Sequence, residues 1–153
     1  MDQLAVNDDL MVGTGQPQED DLRTLAERGV RSVVDLRQEG EPNQALPPAR
    51  ERQATETAGM SYTHVPVPTD RLDHDMLARF HQAVSRLPKP VFVHCASGKR
   101  SGSLAFMHDA VSHGLNGREA LERAEQAGVL YGSQEVREQM RTFVDQQSGG
   151  KPS

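Results

Sequence analysis

The chain contains no tryptophan and no isoleucine, and its 153 residues include only two tyrosines and four phenylalanines. Leucine, valine and alanine must therefore build most of the interior, and little material remains for a deep aromatic slot. There is one cysteine, Cys95, so no internal disulfide can form, which suits a reducing cytoplasm. No apolar run approaches a membrane span, and Met1-Asp2-Gln3 lacks the basic and apolar regions of a signal peptide. A cytoplasmic protein without a membrane is expected. Positive charge is also short: 17 lysines and arginines face 22 acidic residues, for a formal charge of −5. That balance argues against nucleic-acid binding, and it makes any anion site a local positive spot on an acidic protein. His64, His74, His81, His108 and His113 show no metal spacing, so neither a metal nor another cofactor is expected.

What is present reads as one α/β domain over residues 1–147, with a Gly/Pro/Ser tail at 148–153 expected to be disordered. A short strand is expected at Leu10-Met11-Val12, followed by the turn Gly13-Thr14-Gly15-Gln16-Pro17 and a helix over 20–28. Residues 30–37 read as a second strand, β-branched in its middle, and 38–43 as a polar loop at its carboxyl end. A helix over 45–59 tolerates Pro47 and Pro48 only in its first turn. Residues 61–67 read as a third strand running into the loop Pro68-Thr69-Asp70-Arg71-Leu72. Asp73 can cap a helix over 76–87, and Pro88-Lys89-Pro90 introduces a fourth strand, Val91 to His94. Further helices are expected over 101–113, from the Asn116/Glu119 capping box to Ala127, and after Ser133. Strands alternating with helices imply a three-layer, mainly parallel sheet of four to five strands with helices on both faces. Ligands bind beyond the carboxyl ends of strands in such folds, which gathers Arg37, Glu39, Asp70 and Cys95.

The most informative stretch is Val91-Phe92-Val93-His94-Cys95-Ala96-Ser97-Gly98-Lys99-Arg100-Ser101-Gly102. It is an apolar strand ending at the cysteine, then a small-residue loop, then a helix start. Such a turn aims successive backbone N–H groups and the positive end of the helix dipole at one spot. A thiolate there is stabilised and can attack a phosphate or sulfur anion. A buried structural cysteine is the bland alternative.

These residues resemble a known family. His94-Cys95-Ala96-Ser97-Gly98-Lys99-Arg100-Ser101 is similar to the loop of the cysteine-dependent protein tyrosine phosphatase superfamily. Gly15-Gln16-Pro17, Val33-Val34-Asp35-Leu36-Arg37, Val65-Pro66-Val67-Pro68 and the stretch from Gly114 to Gly128 narrow the resemblance. They are similar to the phosphatase-like domain of beta-lactamase hydrolase-like proteins. The resemblance implies a cysteine-dependent phosphatase-like fold and hydrolysis of a phosphomonoester through a thiophosphoryl-cysteine. It gives Cys95 the nucleophile's role and makes Ala96, Ser97, Gly98, Lys99 and Arg100 the anion cradle. Ser101 assists the departing sulfur, Asp70 is the general acid with Asp73 its competitor, and His94 and Arg37 support the loop. The implied substrate is a phosphorylated small molecule or protein.

One departure matters. Four residues separate Cys95 from Arg100, where tyrosine phosphatases have five, so the loop offers one amide fewer. That length resembles rhodanese sulfurtransferases, in which Cys95 would carry a persulfide and the substrate a sulfane sulfur. A phosphate-binding regulatory module without turnover is the third reading. The oligomeric state is not legible.

Overall fold

The computed structural model describes residues 2–147, so the expected tail at 148–153 lies outside the described residues. In chain order the elements are β1 (Gln3–Asn7), β2 (Leu10–Gly13), α1 (Glu19–Glu27), β3 (Ser32–Asp35), α2 (Pro48–Thr57) and β4 (Ser61–His64). They continue with α3 (His74–Arg86), β5 (Val91–His94), α4 (Lys99–Ser112), α5 (Gly117–Gln126) and α6 (Gln134–Gln147). The five strands form one sheet in the order β1-β2-β5-β3-β4. β2, β5, β3 and β4 run parallel, and β1 is an antiparallel edge. β5 comes late in the chain yet inserts between β2 and β3. Its carboxyl end, which carries Cys95, therefore opens at the centre of the sheet.

Alternation along each strand splits the core in two. Val33, Phe92, Tyr62 and Met11 sit in register and face α1 and α2, where they meet Leu22 and Leu25. Val12, Val34 and Val93 face the opposite way, into the larger core of Leu77, Phe80, Leu104, Met140 and Val144. α4 lies in that second layer and is buried from Arg100 to Ala110. Its small residues allow this: a Cβ on Gly102 would stand 2.4 Å from Val129 Cβ.

The mainly parallel sheet with helices on both faces is as expected, and several boundaries are corrected; α3 and α4 each start two residues before the expected 76 and 101. The single strand expected before residue 13 is the second arm of a hairpin. β1 is an edge strand, largely half-buried or exposed, so its sequence carries only a weak alternation. The strands expected over 30–37 and 61–67 shorten to Ser32–Asp35 and Ser61–His64. There the Arg37 backbone N–H turns back to Asp35 Oδ1 at 3.0 Å, and Pro66 has no N–H to give. α2 starts at Pro48 rather than residue 45, because a residue before proline is driven extended, and Pro47 sits at φ −58, ψ 153. The caps are as read: Asp73 accepts from Met76, Asn116 and Glu119 form a capping box, and Ser133 accepts from Val136.

Candidate active site

Beyond His94 the chain turns through Cys95-Ala96-Ser97-Gly98 into α4. Gly98 permits the turn, with φ +93 and a would-be Cβ only 2.9 Å from Thr14 Cα. Only glycine fits both the dihedral and the close approach of the Gly13-Thr14 backbone. The loop folds around the sulfur. Gly98 N–H donates to Cys95 Sγ at 3.2 Å and Ser101 N–H at 3.4 Å, with the Ser101 hydroxyl at 3.3 Å. Such donors at a helix N-terminus stabilise negative charge on sulfur. Cys95 is only 1% exposed, so the thiol is sheltered from bulk water. Ser97 and Lys99 are exposed on the outer rim, and Ala96 is half-buried.

Arg100 is 4% exposed and firmly oriented. Glu41 takes one hydrogen from each terminal nitrogen, at 2.8 Å in both cases, and the Val67 carbonyl accepts the second hydrogen of Nη1 at 2.7 Å. Among the described residues, Nε–H and one Nη2–H of the five guanidinium donors are left, and these lie on one edge. That edge matches two oxygens of a tetrahedral anion. Burial pushes the Glu41 carboxyl up, but Arg100 and the Gln38 amide outweigh it and hold the group below its ordinary range. Arg100 stays cationic, because Glu41 and Cys95 outweigh its desolvation.

A second set of charges lies beneath the loop. Asp35 and His94 are register partners at the ends of β3 and β5, both on the α2 side of the sheet, and Glu51 of α2 reaches into the same space. Arg37 binds Asp35 through Nε and Nη2 at 2.9 Å and Glu51 through Nη2 at 2.9 Å. Tyr62 donates to Asp35 Oδ2 at 2.7 Å, and His94 Nε2 meets Glu51 Oε2 at 2.5 Å while its Nδ1 faces the Cys95 carbonyl at 3.5 Å. Asp35, Arg37, Glu51 and His94 are all fully buried. Burial raises the Asp35 carboxyl, and Arg37, His94 and Tyr62 together bring it below the ordinary carboxylate range. The ligand atoms of Asp35, Glu51 and His94 lie within 4.8 Å of one another, a metal-like spacing in which Arg37 supplies the cation.

Gln16 joins the two sets. Its Oε1 accepts from Arg37 Nη1 at 2.8 Å and from the Ala45 amide at 3.3 Å, and its Nε2 donates to the Asn43 carbonyl at 3.1 Å. The loop carrying Glu41 is thereby pinned to the buried network.

The residues expected at the site divide accordingly. Cys95, Ala96, Ser97, Gly98, Lys99, Arg100 and Ser101 form one turn, and His94 and Arg37 lie in the network below it. Asp70 is exposed on the loop three residues beyond Val67, whose carbonyl holds Arg100; Asp73 caps α3. Glu39, expected near Arg37, is exposed, and the acids on Arg37 are Asp35 and Glu51. Glu41 and Glu51 were not singled out by sequence, and Gln16 entered only within Gly15-Gln16-Pro17, with no site role given to it. Glu51 left one trace: with Pro48 and Thr55 it makes the buried side of α2, a spacing with no hydrophobic stripe.

Comparisons with known proteins bear on the family and the fold. The family model described as "Beta-lactamase hydrolase-like protein, phosphatase-like domain" matches residues 2–112. The beta-lactamase hydrolase-like protein of Xylella fastidiosa (strain Temecula1) is 35% identical over 128 residues, covering 83% of this chain and 28% of its own length. That of Agrobacterium fabrum is 29% identical over 132 residues, covering 86% of this chain and 30% of its own. The chain thus spans less than a third of the curated relatives it matches. Among solved structures, PTPMT1 in complex with PI(5)P superposes with a TM-score of 0.78 at 17% identity, covering 96% of this chain and 97% of that one. A candidate phosphatase from Shewanella putrefaciens gives 0.77 at 20% identity, covering 95% and 92%. The structural likeness establishes the α/β phosphatase-like fold, and the sequence match establishes the lineage: this chain belongs to the family of phosphatase-like domains of beta-lactamase hydrolase-like proteins.

Proposed function

We propose that the chain is a cysteine-dependent hydrolase of phosphomonoesters. The observation that carries this reading is the pairing of a sulfur held by two amides and a hydroxyl with a guanidinium whose free edge is set by Glu41. Cys95 Sγ attacks phosphorus, an S–P bond forms, and the bond to the leaving oxygen breaks. The amides of Ala96, Ser97, Lys99 and Arg100 and the free edge of Arg100 hold the nonbridging oxygens as charge redistributes, the Gly98 amide being turned to the sulfur. Lys99, on the rim, adds positive potential for an incoming anion. The leaving oxygen takes a proton from a general acid, and Asp70 is the assignment. It lies three residues beyond Val67 at the Arg100 clamp, a reach of roughly 10 Å. Water then cleaves the S–P bond, releasing phosphate, and the Ser101 hydroxyl donates to the sulfur as it leaves. His94 and Arg37 position the loop from below without touching substrate.

The four-residue spacing between Cys95 and Arg100 favours a second reading, sulfur transfer. Cys95 would then attack the sulfane sulfur of thiosulfate, release sulfite, and pass sulfur from the resulting persulfide to a thiol or cyanide. Paired assays with an aryl phosphate and with thiosulfate separate the two. Phosphate release that disappears in Cys95→Ser, with no sulfane transfer, is expected. Sulfane transfer without phosphate release would replace the phosphatase reading.

A further inference from the structure

The loop between α5 and α6 docks on the first turns of α4. Val129 covers Gly102, Ser103 Oγ donates to the Val129 carbonyl at 2.7 Å, and the Tyr131 amide donates to Ser103 Oγ at 3.0 Å. Ser103 lies three residues after Arg100, on the same helix face. The docking sets Tyr131 beside the first turns of α4, in the core cluster that also holds Cys95. Tyr131 is 7% exposed, and among the described residues its hydroxyl has no hydrogen-bond partner. Burying an unsatisfied hydroxyl destabilises the fold, and a phenylalanine would fill the same space without that cost.

The phenol is close enough to the reacting groups to feel them. Burial pushes its ionisation well above the ordinary tyrosine value, the Arg100 charge pulls it down, and Cys95 pushes it up. It remains a neutral O–H donor across any working pH. The cysteine loop, meanwhile, is short of donors: it has one amide fewer than a five-residue loop, and Gly98 and Ser101 direct theirs at the sulfur.

We infer that the Tyr131 hydroxyl donates a hydrogen bond to the oxyanion held in the Cys95 loop, replacing the amide that the four-residue spacing removes. The inference rests on the loop binding a tetrahedral anion, as in the proposed reaction, and it adds a residue that touches substrate from outside the loop. It also gives the short loop a chemical rationale: specificity for a compact oxyanion capped from the α5–α6 side.

The test is titration calorimetry with inorganic phosphate on the wild type, Tyr131→Phe and Arg100→Lys, with thermal melts of each free of ligand. Tyr131→Phe should melt at or above the wild-type temperature without phosphate, because it removes an unpartnered hydroxyl, and should bind phosphate roughly 10- to 100-fold more weakly. Unchanged affinity in Tyr131→Phe, with weakened binding in Arg100→Lys, overturns this inference and leaves the proposed reaction standing. A ligand-free Tyr131→Phe that melts lower than wild type overturns it too, since the hydroxyl would then serve the fold. A wild type that binds no phosphate overturns both.

Discussion

At the residue scale the decisive pair is Glu41 and Arg100. Glu41 and the Val67 carbonyl hold the buried guanidinium of Arg100 by its far edge and keep it in one orientation. Glu41→Gln keeps the size but presents an amide to the guanidinium, so kcat/KM for an aryl phosphate should fall by roughly 10², with the fold retained. The pH dependence has a defined sign. The folded Glu41 value lies below the ordinary 4.5, so its contribution is complete above 4.5 and disappears as pH falls through the lower folded value. Melts from neutral to acid pH should show the wild-type advantage over Glu41→Gln constant down to 4.5 and closing between there and the lower folded value. Gly98 is the other single-residue constraint. Gly98→Ala forces an L residue to φ +93 against the Thr14 backbone. It should cost at least about 1–3 kcal/mol of stability and weaken phosphate binding together with it, measured by melts and titration on one sample.

At the element scale, α2 acts on the cysteine loop through Glu51, whose carboxylate holds His94 and Arg37 at once. Removing one partner from a buried charge network costs roughly 3–5 kcal/mol, so Glu51→Ala should lower the denaturant midpoint substantially, with Glu51→Gln recovering part of the loss. The cysteine loop itself was legible, because strand, small-residue turn and helix start follow one another along the chain and each obeys local rules. The strand–helix alternation was legible for the same reason. Glu41, Glu51 and Gln16 were not, because each meets its partner from a separate element: Glu51 is 43 residues from His94, and Glu41 is 59 residues from Arg100. No periodicity marks such a pairing. Tyr131 was hidden likewise, since its neighbourhood comes from a loop docking on Gly102 and Ser103. β1 escaped because an edge strand needs no strict alternation.

At the scale of the whole molecule, two cores on opposite faces of one sheet clamp β5 and leave its carboxyl end open. Away from the cysteine loop, His81 and His108 share a part-buried hydrogen bond, Nδ1 to Nδ1 at 2.8 Å, between α3 and α4. Burial, then the charges of His81, Lys89 and His113, push His108 down to about 4, with Asp109 opposing, and burial lowers His81 as well. A base depressed in the fold takes its proton first in the unfolded chain, so stability falls as pH drops from about 6.5 to about 4. A shift of this size corresponds to roughly 3 kcal/mol at the acid end, and His108→Gln should flatten the pH–stability curve in that window. The reaction turns on the bond that Cys95 forms. Acid-quenched protein, taken during turnover of an aryl phosphate and separately after exposure to thiosulfate, should be digested and its Cys95 peptide weighed. A gain of one phosphoryl group with the aryl phosphate, and no gain with thiosulfate, is the predicted result. A gain of one sulfur atom with thiosulfate and none with the phosphate would contradict it.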